Sequence, residues 1–104
     1  MSENPIVRMA DIEIDPAQLD AYRSLLIEEI EASVLLEAGV VSLNAVAIKG
    51  SPHSIRILEV YASQAAYEAH LKTPHFLKYK KGTANMVKSL TLIEVEPIAM
   101  CGKP

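Results

Sequence analysis

Tryptophan is missing from this chain of 104 residues, phenylalanine and cysteine occur once each, and glycine occurs four times. Each shortage excludes something. The single cysteine, Cys101, rules out an intrachain disulfide and leaves a Cys/His zinc site unsupported. No glycines are spaced as GxGxxG, so no Gly-rich phosphate loop is expected. The three histidines lie in scattered contexts without an HxxxH pattern, and no metal site is expected from spacing. Long basic blocks are also lacking. The densest is "KYKKG" at 78–82, the formal net charge is −3, and neither nucleic acid nor an anionic membrane is expected as a partner. No window approaches the roughly 20 apolar residues of a membrane span. The opening "MSENPIVRMADIEID" has neither a basic start nor a long apolar run, so the expected location is the cytoplasm.

What is present describes a folded protein. Half the residues are hydrophobic and 22% are charged, and the length suits one domain over 1–104. "IVRMADIEI" (6–14) alternates: Ile6, Ala10, Ile12 and Ile14 share a parity into which Arg8 intrudes, which is a strand with one apolar face. Asp15 and Pro16 are an N-cap and a first helical residue. From there Leu19, Tyr22, Leu26 and Ile30 form a stripe that predicts a helix over about 16–36, with Glu28, Glu29 and Glu31 off it and Gly39 as its stop. Residues 40–49 and 55–61 read as a hairpin about a "GSPHS" turn. Ser63 caps a second helix. Thr73 caps a third, running through "TPHFLKYKKGTANMVK", and Pro74 forces an angle between the two. "SLTLIEVEPI" (89–98) closes the pattern as a strand.

The order βαββαβ predicts an α+β ferredoxin-like sandwich, a four-stranded antiparallel sheet with helices on one face. The strand at 40–49 is apolar on both parities: Val40, Val46 and Ile48 on one, Val41, Leu43, Ala45 and Ala47 on the other. A sheet apolar on both faces wants a second cover, and a homodimer packed through the open sheet face supplies it.

The stretch 59–79, "EVYASQAAYEAHLKTPHFLKY", holds two of the three histidines, three of the four tyrosines and the one phenylalanine. Strand parity puts Glu59 and Tyr61 on one side, and helical spacing groups Tyr67 with His70 and Leu71, and His75 with Tyr79. If Glu59 and Tyr61 face the helices, a carboxylate, a phenol and imidazoles share a cavity. A Glu59–His70 contact there would orient the imidazole and raise its pKa, a combination suited to a general base. The same spacings also fit plain core packing of Tyr67, Leu71, Phe76 and Tyr79.

At "RILEVYASQAAYEAHLKTPHFLKY" the chain resembles the antibiotic biosynthesis monooxygenase family of dimeric α+β barrels. The family carries a strand ending in Glu-x-aromatic, an Ala-rich helix with a His, then Thr-x-His-Phe; here these are Glu59, Tyr61, His70, Thr73, His75 and Phe76. "LEAGVVSLNAV" is similar to the family's Glu-Pro-Gly segment, with Ala38 in place of Pro and Asn44 at a pocket-facing parity. The resemblance implies oxidation of a small quinol or polyphenol-like aromatic by O₂ with no cofactor. It implies His70 as base or orienter, Glu59 as its partner, Asn44, Tyr61, His75 and Tyr79 as polar lining, and Phe76 as an apolar wall. Haem-degrading relatives use a Trp, which this chain lacks. Others isomerise a small phosphorylated dione and would need cations, for which Arg8 or a lysine of "KYKK" could serve. A non-catalytic dimeric barrel that binds a small hydrophobic ligand is the alternative of a different class.

Overall fold

The structure, a computed structural model, describes residues 4–104. Strand β1 (Ile6–Ile14) leads through a turn of 3₁₀ helix (Pro16–Gln18) into α1 (Leu19–Leu36). The hairpin β2 (Val40–Ile48) and β3 (Ser51–Tyr61) follows, then α2 (Gln64–His70), α3 (Pro74–Thr83) and β4 (Val87–Val95). The sheet is antiparallel in the order β2-β3-β1-β4, with the helices on one face, so the fold is the ferredoxin-like sandwich that the element order predicts. No helix among the described residues is long and apolar enough to cross a membrane.

The caps act where the sequence puts them. Asp15 accepts from the Ala17 N–H, Ser63 from Ala66 and Thr73 from Phe76. The main core joins Ala10, Ile12 and Ile14 of β1 to Ile55 and Ile57 of β3 and to Tyr22 and Leu26 of α1. Arg8, the intruder on the buried parity of β1, is tolerated because its guanidinium lies 4.2 Å over the Tyr67 ring and its Nη2 reaches Glu94 at 3.1 Å.

Four local expectations change. The hairpin turn is Lys49–Gly50, not 50–54; Gly50 takes φ +84°, and Pro52 and His53 already belong to β3. Gly39 does not stop α1 with a left-handed residue. Its role is clearance, since a Cβ there would sit 2.5 Å from Ala66 Cβ on α2. Helix α3 ends at Thr83, whose hydroxyl donates back to the Tyr79 carbonyl, and the chain turns to begin β4 at Val87, opposite Ile14.

The fourth is a register change in β2. Val40 pairs with Tyr61, yet Ser42 pairs with Val60, so a bulge lies between them. Beyond it Leu43 lies beside Glu59 on the helix face, while Ser42, Asn44 and Val46 join Met9, Leu58 and Ile93 on the open face. Leu43 is therefore buried under the helices and is no part of an open-face surface.

Candidate functional site

Between the covered sheet face and the helices lies a cavity of about 380 Å³. Ala10, Ile12 and Ile57 form its floor, Leu26 and Ile30 one wall, and Leu90 and Leu92 of β4 an edge. The alternation of β3 delivers Glu59 and Tyr61 into it, as parity predicts. Tyr67 and His70 enter from α2, and Phe76 and Tyr79 from α3. Much of the lining is apolar, so each polar group in it acts in a low dielectric.

The expected Glu59–His70 pair is not formed. Glu59 instead accepts a 2.7 Å hydrogen bond from the Tyr61 hydroxyl. Burial raises the Glu59 pKa above the usual carboxylate range; the Tyr61 hydrogen bond and the charge of His70 only partly oppose it. Burial likewise raises Tyr61 well above an ordinary phenol, and the neighbouring Glu59 carboxylate adds to this. Tyr79 donates to or accepts from Tyr22 across a 2.7 Å contact, and burial raises its pKa as well.

His70 is enclosed, 2% exposed, with two other carboxylates at its ring. Its Nδ1 is 2.9 Å from Glu37 Oε2 and its Nε2 3.3 Å from Glu29 Oε1. Burial works against a charge on His70, but the hydrogen bonds to Glu29 and Glu37 outweigh it and raise its pKa. Both ring nitrogens thus face carboxylate oxygens, and no free nitrogen lone pair points at the cavity. The Phe76 and Tyr61 rings pack against His70 with centroids 5.0 and 5.3 Å away.

Glu29 and Glu37 are the two site residues that sequence reasoning left out. Glu29 falls off the apolar stripe that the sequence predicts for α1. It is buried, and Ser33 donates to its Oε1 at 3.0 Å. A signal was available: Tyr22, Leu26, Glu29 and Ser33 follow one another at spacings of four, three and four, and all four are buried. Glu37 sits just past α1, in the segment similar to Glu-Pro-Gly, and also receives His75 Nε2 at 2.6 Å. Burial would raise its pKa, yet the hydrogen bonds from His75 and His70 prevail and lower it.

The structure brings together Glu59, Tyr61, His70, Phe76 and Tyr79 at the cavity. His75 stands behind His70, on the far side of Glu37. Asn44 is elsewhere: the β2 bulge turns it to the open face, opposite Leu58 and exposed, so the expected pocket-facing parity does not hold. Arg8 and Lys80 add cationic groups to the lining.

The family model described as antibiotic biosynthesis monooxygenase matches residues 5–82. Comparison with curated proteins gives no match. Among solved structures, a proposed antibiotic biosynthesis monooxygenase from Bacteroides thetaiotaomicron VPI-5482 is 50% identical. It superposes with TM-score 0.93, the match covering 97% of this chain and 96% of that one. A similarly described protein of Nitrosomonas europaea shares the fold at 16% identity, with TM-score 0.86 and 98% of both chains covered. So does a Mycobacterium tuberculosis protein at 21% identity and TM-score 0.84, over 95% of this chain and 100% of that one. With three quarters of its length inside the family model, this chain belongs to the antibiotic biosynthesis monooxygenase family.

Proposed function

We propose that the chain is a cofactor-independent monooxygenase acting on a small quinol-like aromatic held in the cavity between sheet and helices. Family membership supports a monooxygenase-like role. The observation that carries the finer reading is a buried carboxyl of raised pKa, Glu59, in a largely apolar cavity beside His70, whose two ring nitrogens both face carboxylates. A carboxylate whose pKa is raised is a stronger base than one in water. Glu59 takes the phenolic proton, and His70, held by Glu29 and Glu37, offers positive charge to the anion that forms. The phenolate passes an electron to O₂, and the resulting pair recombines at a ring carbon. One oxygen atom stays on the ring as a hydroxyl and the other leaves as water, the substrate going from quinol to hydroxyquinone. Tyr61, Tyr79 and Phe76 shape the cavity and exclude water. Oxygen-electrode traces with a panel of hydroquinones and anthrones test this; no uptake with any of them, in folded protein, would retire it.

One observation favours a second reading. Arg8 and Lys80 line the cavity and suit the isomerisation of a phosphorylated dione. Glu29 and Glu59 in the same lining oppose a phosphate, which is why the quinol comes first.

The homodimer belongs to this proposal. Met9, Val46 and Ile93 are exposed and share the open face with Leu58. A second copy covering that face would bury about 800 Å² per partner.

A further inference from the structure

Sequence spacing gave His70 and His75 no common purpose. Five residues apart on one continuous helix, they would point about 140° away from each other. The break at Thr73–Pro74 changes this. It ends α2 at His70 and restarts α3 at Pro74, so the two rings turn toward each other, 6.4 Å between centroids. Glu37 approaches from the end of α1. One oxygen or nitrogen from each of Glu37, His70 and His75 lies within 4.8 Å of the other two.

We propose that Glu37, His70 and His75 form a binding site for a divalent transition metal, with zinc the simplest fit. Two imidazoles and one carboxylate are a common zinc donor set, and they leave a fourth position for water. Three features beyond the triad support it. First, the nitrogen of His70 that would not bind the metal is 3.3 Å from Glu29 Oε1. Metal-bound histidines almost always have such an outer carboxylate or carbonyl partner, which fixes the ring. Second, Glu29 is itself fixed, by Ser33 and by burial. Third, the site has a way in. The side chains of Glu37 and His75 are each 13% exposed while that of His70 is 3%, so the triad opens outward, away from the cavity.

Both rings hydrogen-bond to the same Glu37 oxygen, at 2.9 and 2.6 Å. Tetrahedral coordination at roughly 2.0–2.1 Å needs ligand atoms about 3.4 Å apart, so each contact opens by less than ~1 Å. The ion would replace the shared protons, keep positive charge behind His70, and tie the ends of α1, α2 and α3 together. Zinc is redox-inert and takes no part in the electron transfer proposed above, so this inference does not rest on that reading.

The test uses the full chain, stripped with a chelator and titrated with Zn²⁺ by calorimetry, and with Co²⁺ while its visible absorption is followed. The expected result is one ion per chain, a tetrahedral-type cobalt band, and a higher melting temperature with Zn²⁺. His75→Ala and Glu37→Gln should each abolish stoichiometric binding, and Glu29→Gln should weaken it by about 10–100-fold. His53→Ala, outside the site, should leave it unchanged. His75→Gln provides a milder variant should His75→Ala fail to fold. Failure of the wild type to bind one equivalent would overturn the proposal. So would binding that survives in folded Glu37→Gln and His75→Gln. Oxygen uptake is not a readout here, so either outcome is separate from the fate of the quinol reading.

Discussion

The two faces of the sheet use charge in opposite ways. Strand β3 shows this within alternate residues, with Ile57, Glu59 and Tyr61 on the covered side and Arg56, Leu58 and Val60 on the other. On the open face Arg56 lies directly opposite Asp11 and bonds it at 3.2 Å, with Glu13 at 3.3 Å. These groups are about a third exposed and screened by water, and they pair with direct or diagonal neighbours on the adjacent strand. On the covered face Arg8 is matched across strands to Glu94 at 3.1 Å, but the charged groups deeper in the cavity are held in other ways. His70 is held by residues of α1 and the segment after it, and Glu59 by its own strand neighbour Tyr61. Charge on the open face helps align strands; in the cavity on the covered face, burial raises the pKa of Glu59 and carboxylate partners raise that of His70.

Glu59→Gln should separate the faces most sharply. If Glu59 is the proton acceptor, turnover on a quinol falls by about 10²–10⁴. Stability should move the other way. The folded-state pKa of Glu59 is raised, so its favourable contribution is complete below the unfolded value of about 4.3 and is lost as pH rises through the folded pKa. The groups that act on it are Tyr61, His70, Glu29 and Arg8. At pH 7–8 the Gln variant should therefore melt higher than wild type, with the gap closing in acid. Wild-type turnover should rise with pH over the range in which Glu59 ionises. A variant that is slower and also less stable at pH 8 would contradict the assignment.

Next in size is His70→Ala. Removing the imidazole takes the histidine partner from buried Glu29 and leaves Glu37 with His75 alone, and should cost about 3 kcal/mol in denaturant melts. Neither ring nitrogen is free to act as a base, but turnover in the fraction that stays folded should also fall, because the group facing the anion is gone.

On the open face the expected effects shrink and change character. Leu58→Glu should weaken self-association at least tenfold, about 1.4 kcal/mol, seen by light scattering as a shift toward the 11.4 kDa monomer. Wild type that is monomeric at micromolar concentration would sink the dimer proposal outright. Arg56→Gln should cost less than about 1 kcal/mol and lose its effect in high salt.

The same contrast explains what could be read beforehand. Strand β1 was legible because a period-2 pattern with one buried face leaves its mark on every second residue. Glu59 and Tyr61 followed from that parity. Asn44 was lost to a bulge between Val40 and Ser42 that turns the rest of β2 over and has no sequence signature of its own. Glu29 is in phase with Tyr22 and Leu26, but apolar periodicity treats a glutamate as a solvent marker, and the partner that explains its burial, His70, is far away in sequence. Glu37 lies 33 residues from His70 and 38 from His75, so no local pattern could join them. Helix α3 ends before the expected residue 88 because the chain there joins the sheet: the Met86 carbonyl accepts from the Asp15 N–H and Val87 pairs with Ile14, long-range contacts that propensity does not carry.

The distance between Gly39 and Ala66 works as a machining tolerance. At that point α2 stands off the chain by no more than a hydrogen atom allows, since a methyl at 39 would lie 2.5 Å from the methyl of Ala66. Glu37 is two residues to one side and His70 four residues to the other, so any added bulk acts as a shim that pries the acid from its imidazole. Size at the two positions should therefore be exchangeable rather than additive. Gly39→Ala alone should loosen α2 and lower the melting temperature. Gly39→Ala combined with Ala66→Gly should recover most of the loss, short of the ~1 kcal/mol that a glycine costs inside a helix.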